Sequence, residues 1–451
     1  MRLLFGLKEP VDRRTYALVG FVLMALKYVV DALVVWIVAE VFWTPLDYLS
    51  PIFVLRQEKL GAVSPAFQLV MASWTLPFLW IGVSMTMRRA YDAGLTAWAG
   101  LVFFVPVLNY LLMLWLCLLP TVRREPRVDP LHADEPLPET AVHDSLRAAL
   151  LAILVSVIGT AFAVVVCVYG VRSYNMALFA GAPFFLGLVA GYLYNREERR
   201  GVAGKVGDAG LSILMSLAAN LLCALEGAIC IAMAAPPAAV VSLFGALIGR
   251  GIALIGKEPA YPGLLAILAL PGLAALEDRV TEPARYEVVT SIEIDAPRDE
   301  VWRNVVSFSE LPEPSWLLFR LGIAYPRRAV IDGEGVGAVR RCEFSTGAFV
   351  EPITVWDEPA RLAFDVVAQP PPMHEWSPYR NVHPPHLDGA FRSTAGEFRL
   401  IALPDGRTRL EGSTWYELDL HPTWYWRLWA DFLVHRIHGR VLEHIARETE
   451  G

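Results

Sequence analysis

The chain has 451 residues, 55% of them hydrophobic and 19% charged, and its mean hydropathy is +0.43. That balance is too apolar for an ordinary soluble enzyme of this size and points to a membrane protein. A net charge of −7, with no Lys/Arg block interleaved with aromatics, provides no basic field for nucleic acid, so none is expected as a partner.

The apolar residues crowd before Leu276, and the sequence after Glu277 is charged and strand-like. The expected organisation is a membrane module at 1–120, a polar Pro-rich linker at 121–147, a second helical membrane module at 148–276 and a soluble domain at 281–451 that should fold by itself. A spanning helix needs about 20 mainly apolar residues. Runs at 17–39, 67–85, 98–119, 148–170, 177–194, 211–235 and 238–255 qualify, and 264–276 is shorter and broken by Pro271. Six spans, with 98–119 and 264–276 re-entrant, keep most Lys and Arg on the inner side and fit the positive-inside rule better than eight. Either count puts the N-terminus and the soluble domain in the cytoplasm of a bacterial cell, bounded by its inner membrane. The basic start followed by a long apolar run reads as a retained helix and not as a cleaved signal. Cys117, Cys167, Cys223 and Cys230 lie in apolar runs and Cys342 stands alone, so no disulfide framework is expected.

In the first helix Lys27 and Asp31 are four apart and share a face, which reads as helix glue ahead of a coupling or ion-path site. Glu226, flanked by Cys223 and Cys230, reads as a structural carboxyl, because one helix face offers too few ligands for a metal. Gly187 with Gly191, and Gly245 with Gly249, have the spacing that lets helices approach closely. At Arg88-Arg89-Ala90-Tyr91-Asp92-Ala93-Gly94-Leu95-Thr96-Ala97-Trp98 the arginines could hold lipid phosphate, Asp92 could cap or pair, Gly94 permits a turn and Trp98 suits the membrane interface. This loop resembles that of the bacterial inner-membrane domain-of-unknown-function family 805, which carries Arg-Arg-x-His-Asp-x-Gly-x-x-x-Trp; Tyr91 stands where that family has His. The resemblance implies location and no activity.

In the soluble part, strands are expected at 286–294, 328–332, 337–345, 350–357, 361–367, 396–403 and 408–418, with a helix over 297–308 and a long closing helix over 424–448. Asp405-Gly406 marks a hairpin turn. This order, with Ile294-Asp295-Ala296-Pro297-Arg298-Asp299-Glu300-Val301-Trp302, Gly335-Val336-Gly337 and Val355-Trp356-Asp357-Glu358-Pro359, resembles the START and birch-pollen-allergen-like superfamily (SRPBCC), including polyketide cyclase-like members. The resemblance implies an α+β helix-grip fold, a curved antiparallel sheet around the closing helix, with a cavity for a hydrophobic ligand.

Trp426, Leu433 and Ile437 fall on the face of the closing helix expected to meet the sheet. Met373, Trp376 and Tyr379 lie in a long loop that could form a lid. His383, His386, Glu343 and Tyr416 are candidate polar groups of the cavity or lid, and His435 and His438 share a face of the closing helix. His383 and His386, with His374, Glu375 or Asp388, carry zinc-type donors, but the Pro-rich segment is stiff and lacks a fixed fourth ligand, so no metal and no cofactor is expected. No nucleophile elbow, phosphate loop or dinucleotide fingerprint is present. The expected function is binding or transfer of a lipid, isoprenoid or polyketide-like molecule at the membrane. A membrane-bound cyclase or hydrolase is the alternative from the enzyme class, and a ligand-sensing or scaffolding protein is a third.

Overall fold

A computed structural model describes residues 2–7, 9–48, 63–104, 107–122, 151, 153–155, 157–197, 227–255, 261–279, 283–376 and 383–451. Glu226, Tyr379 and residues 123–150 of the linker region lie outside them. The chain divides into two compact units. The first takes in Met1–Val171, Met176–Asn220 and Ala234–Thr281, the second Glu282–Gly451 together with Arg172–Asn175 and Leu221–Met233.

Helices at Arg13–Ala39, Ala66–Asp92 and Ile153–Val171 in the first unit, and Ala228–Ile255, whose Ala228–Met233 turns belong to the second, are long and apolar enough to cross a membrane. Asp12 accepts from the amides of Arg14 and Thr15 and so caps the first of these. The run at 98–119 is not one helix: a tight helical stretch, Ala97–Phe104, precedes a separate helix at Leu108–Leu118. By contrast, Pro236-Pro237 does not divide 211–235 from 238–255, since Ala228–Ile255 runs through both prolines, and Tyr261–Asp278 runs through Pro271. Apolar surroundings tolerate these interior prolines where neighbouring groups take up the released carbonyls.

The spaced glycines set one helix pairing. A Cβ on Gly187 would lie 2.0 Å from the Ser242 carbonyl oxygen, and one on Gly249 would lie 2.0 Å from that of Leu188. Only glycine permits that backbone approach. Lys27 does pair with Asp31, and the buried carboxylate also accepts from the Tyr48 hydroxyl at 2.5 Å and from Trp74 Nε1 at 3.1 Å. Asp31 therefore ties three separate segments together.

The Arg-Arg loop behaves differently from its expected interfacial role. Arg88 donates to the carbonyls of Ser84, Glu9 and Leu3. Arg89, fully buried, donates to the Leu116 carbonyl at 3.0 Å, to the Leu119 carbonyl and to Asp92 at 2.8 Å. These guanidiniums are committed to protein, not to lipid phosphate, and Arg89 sits where a helix end leaves carbonyls without partners. Asp92 also accepts from Thr121, and Gly94, at φ 84°, makes the expected turn. Trp98 is buried with its ring 5.2 Å from that of Tyr192, so it is a core residue and not an interfacial one.

In the second unit a seven-stranded antiparallel sheet has the order β1-β7-β6-β5-β4-β3-β2. The strands are β1 (Ala284–Ile294), β2 (Pro326–Asp332), β3 (Val339–Phe344), β4 (Gly347–Asp357), β5 (Arg361–Asp365), β6 (Phe391–Ala402) and β7 (Thr408–Leu418). β1 and β7 pair from Ala284↔Leu418 to Ile294↔Thr408, so the first and last strands are neighbours. The closing helix, Thr423–Glu450, packs on β1 and β7, and Val441, Leu442 and Ile445 meet Val301, Trp302 and Val305 of the helix Arg298–Val306 in one buried core. This is the helix-grip fold.

Candidate functional site

The bend of the sheet under the closing helix leaves a cavity of about 210 Å³, far larger than the ~10–15 Å³ one water needs. β3 shows how alternation builds the wall. Arg340, Cys342 and Phe344 line the cavity, while Glu343 points away and forms a two-pronged ion pair with Arg328 at 2.8 and 2.9 Å. Hydrogen bonding to Arg328 holds the Glu343 carboxyl below its usual range. Glu343 is thus not a cavity group. Tyr416 is also absent from the wall; its hydroxyl donates to Asp431 at 2.5 Å.

Of the expected ligand contacts, Met373, Trp426, Leu433 and Ile437 line the cavity. Trp376 does not: its side chain is exposed, at 65%, and its contribution is a backbone carbonyl that accepts from Ala228 at 2.7 Å. His383 is half-exposed and bonds Asp388 at 2.8 Å. His386 is buried and lines the cavity. The segment carrying Met373 is pinned by His374 N–H to Gly322 O at 2.8 Å and by Ala324 N–H to Pro372 O at 3.0 Å. Gly322 has φ +128°, and a Cβ there would meet the His374 carbonyl at 2.3 Å, so the crossing requires glycine.

Arg340 and Glu351 are polar groups of the wall that alternation alone could not place. They face each other across β3 and β4, both buried, with Nη1 to Oε2 at 2.5 Å. The Arg340 guanidinium also lies 5.3–5.5 Å from the ring centroids of Phe364, Phe398 and Phe308, a geometry that stabilises a desolvated cation. Burial raises the Glu351 carboxyl, and the nearby Arg340 charge opposes that shift. Burial likewise pushes the Cys342 thiol up to about 12, which leaves it unreactive at neutral pH.

His438 also lines the cavity. Its Nε2 meets Thr414 Oγ1 at 2.7 Å and its Nδ1 meets Thr290 Oγ1 at 3.1 Å. Burial, then the neighbouring His435, lowers its pKa to about 4. Between about pH 6.5 and 4 the unfolded chain takes up a proton at this site that the folded chain refuses, so stability falls as pH falls through that window. The expected loss is on the order of 3 kcal/mol at about 1.4 kcal/mol per pH unit. Thermal unfolding of the full chain from pH 7 to 4.5 measures it; His438→Gln should flatten the slope, and an unchanged slope would assign the effect elsewhere.

Several solved structures are similar to the C-terminal part. A norcoclaurine synthase point mutant from Thalictrum flavum is 10% identical, over 38% of this chain and 96% of its own, with a TM-score of 0.25. The Zhui aromatase/cyclase from Streptomyces sp. R1128 is 17% identical, over 37% and 94%, with a TM-score of 0.26. A protein from Nitrosospira multiformis is 20% identical, over 36% and 96%, with a TM-score of 0.23. No curated protein matches the sequence. At the other end, residues 4–130 match the family described as "Protein of unknown function (DUF805)".

Proposed function

We propose that the chain is a membrane-tethered protein that binds or hands over a hydrophobic small molecule, of lipid, isoprenoid or polyketide-like chemistry. The helix-grip part works at the cytoplasmic face of a bacterial inner membrane. A lipophilic ligand partitions into the bilayer, and tethering its binding site there shortens the transfer path. The observation that carries this reading is the cavity, whose wall is largely apolar and takes in Met373, Trp426, Leu433 and Ile437. An open interior speaks against a purely scaffolding role.

One observation favours the enzyme reading as second choice. Glu351, raised by burial and set beside Arg340 in an apolar cavity, has the environment of a general acid, and a cyclase or hydrolase of a lipophilic substrate would use one.

Lipid mass spectrometry on the full chain purified in mild detergent tests the first reading. Leu433→Trp, which fills the cavity from the closing helix, should cut the copurifying lipid or the uptake of a hydrophobic fluorescent probe at least fivefold with unchanged circular dichroism. Trp376→Ala, off the wall, should leave retention as in wild type. If wild type itself takes up neither lipid nor probe, the binding reading fails and the scaffolding one replaces it.

A further inference from the structure

We propose that Cys230, Glu375 and His386 form a binding site for a zinc-class divalent cation in the wall of the cavity. Two stretches of the chain far apart in sequence deliver the donors, one giving Cys230 and the other both Glu375 and His386. Cys230 lies in the first turn of the helix Ala228–Ile255, Glu375 follows the pinned Met373 segment, and His386 stands in the short helical turn Pro385–Leu387. The thiol sulfur, a carboxylate oxygen and a ring nitrogen all lie within 4.8 Å of one another. His386 Nε2 and Glu375 Oε1 are 3.4 Å apart. Two donors on a tetrahedral zinc ion, with bonds of about 2.0–2.2 Å, stand roughly 3.3–3.6 Å from each other.

The surroundings orient each donor as a ligand would need. Tyr174 Oη faces His386 Nδ1 at 3.4 Å; a Nδ1–H bonded there turns Nε2 toward the metal position. Glu375 accepts from the backbone amides of Ile229 at 3.0 Å and Cys230 at 3.1 Å, and a carboxylate has lone pairs left for a metal. A Cβ on Gly227 would come within 2.1 Å of Glu375 Oε2, so the missing side chain opens the seat that the carboxylate fills. On metal binding the Cys230 thiol gives its proton to solvent, and thiolate plus carboxylate then balance a doubly charged cation.

The set differs from the histidine pairing read from sequence, because His383 is engaged with Asp388. Cys230 and His386 both line the cavity, so three protein donors leave a fourth position facing it. A water, or a carbonyl or hydroxyl oxygen of the bound molecule, would occupy that position. This last step rests on the ligand-binding reading, whereas the metal site itself does not.

The test uses the full chain in mild detergent, stripped with EDTA and titrated with Co²⁺ and Zn²⁺. One equivalent of Co²⁺ should give a thiolate-to-metal charge-transfer band with tetrahedral d–d absorption, and Zn²⁺ should displace it. Cys230→Ser should abolish the charge-transfer band, His386→Ala should weaken metal binding at least tenfold, and Cys117→Ala, in the first unit, should change neither. Because a variant could lose its fold, protection of Cys230 from alkylation by Zn²⁺ is also read in the wild-type chain by peptide mass spectrometry. A wild type with no such band and no protection, or a band that survives Cys230→Ser, overturns the site. Ligand retention measured on the same EDTA-treated sample separates the two readings. Metal without ligand keeps the site and removes the function proposed above; ligand without metal does the reverse.

Discussion

Glu351→Leu will destabilise the helix-grip unit by about 3–5 kcal/mol, because it leaves the Arg340 guanidinium buried without its counter-charge. The double variant Arg340→Met/Glu351→Leu should recover most of that loss, since apolar groups of similar volume can replace a buried pair at little cost. Alkylation of Cys342 in rising urea, followed by peptide mass spectrometry on the full chain, measures the difference, because that thiol is buried on β3 beside the pair. If the double variant is as unstable as the single one, the pair is held by more than mutual neutralisation. The same double variant separates carrier from enzyme. A carrier should keep its ligand in a wall made more apolar, whereas a catalyst that uses Glu351 as its acid should lose turnover entirely.

Arg89→Ala should be nearly as severe. It strips donors from the Leu116 and Leu119 carbonyls and leaves Asp92 without its buried partner, and breaking such a pair costs about 3–5 kcal/mol. Arg89→Lys keeps the charge but not the fork that spans four acceptors, so it should fall between alanine and wild type. The readouts are the level of full-length protein in the membrane and the fraction still monodisperse after heating in detergent. If Arg89→Ala is as heat-resistant as wild type yet retains less anionic lipid, the arginine serves lipid after all.

The two units were legible in the sequence to different depths. In the second unit, period-two alternation and turn residues mark every strand, and the apolar stripe of the closing helix places Trp426, Leu433 and Ile437 on the cavity side. Alternation gives two faces but not which one is inward, so Glu343 was a cavity candidate while Arg340 was not. The missing signal is register. The strands β3 and β4 pair from Phe344↔Gly347 outward, so a hairpin turn at Ser345-Thr346 by itself sets Arg340 opposite Glu351. No local pattern could have linked Cys230 and Tyr174 to Glu375 and His386, because those contacts join segments from opposite sides of the expected boundary at 281. A fragment beginning there lacks Cys230 and Met233, which line the cavity. In the first unit, composition marked the apolar helices, but a Pro-Pro pair and a Pro-interrupted run look alike in sequence. Only packing decides that one continues as helix and the other divides.

The pairing of β1 with β7 sets a timetable for biosynthesis. Ala284 finds its partner only at Leu418, which leaves the ribosome more than about a hundred residues later. At ~5–20 residues per second that is a wait on the order of ten seconds. Throughout it β1 is an open strand on a nascent chain whose apolar helices have already been made, and an unpaired strand edge is a template for misassembly. Efficient production of this protein therefore depends on shielding roughly one strand's length of chain during translation, and slow translation through Phe391–Leu418 is expected to raise its dependence on chaperones.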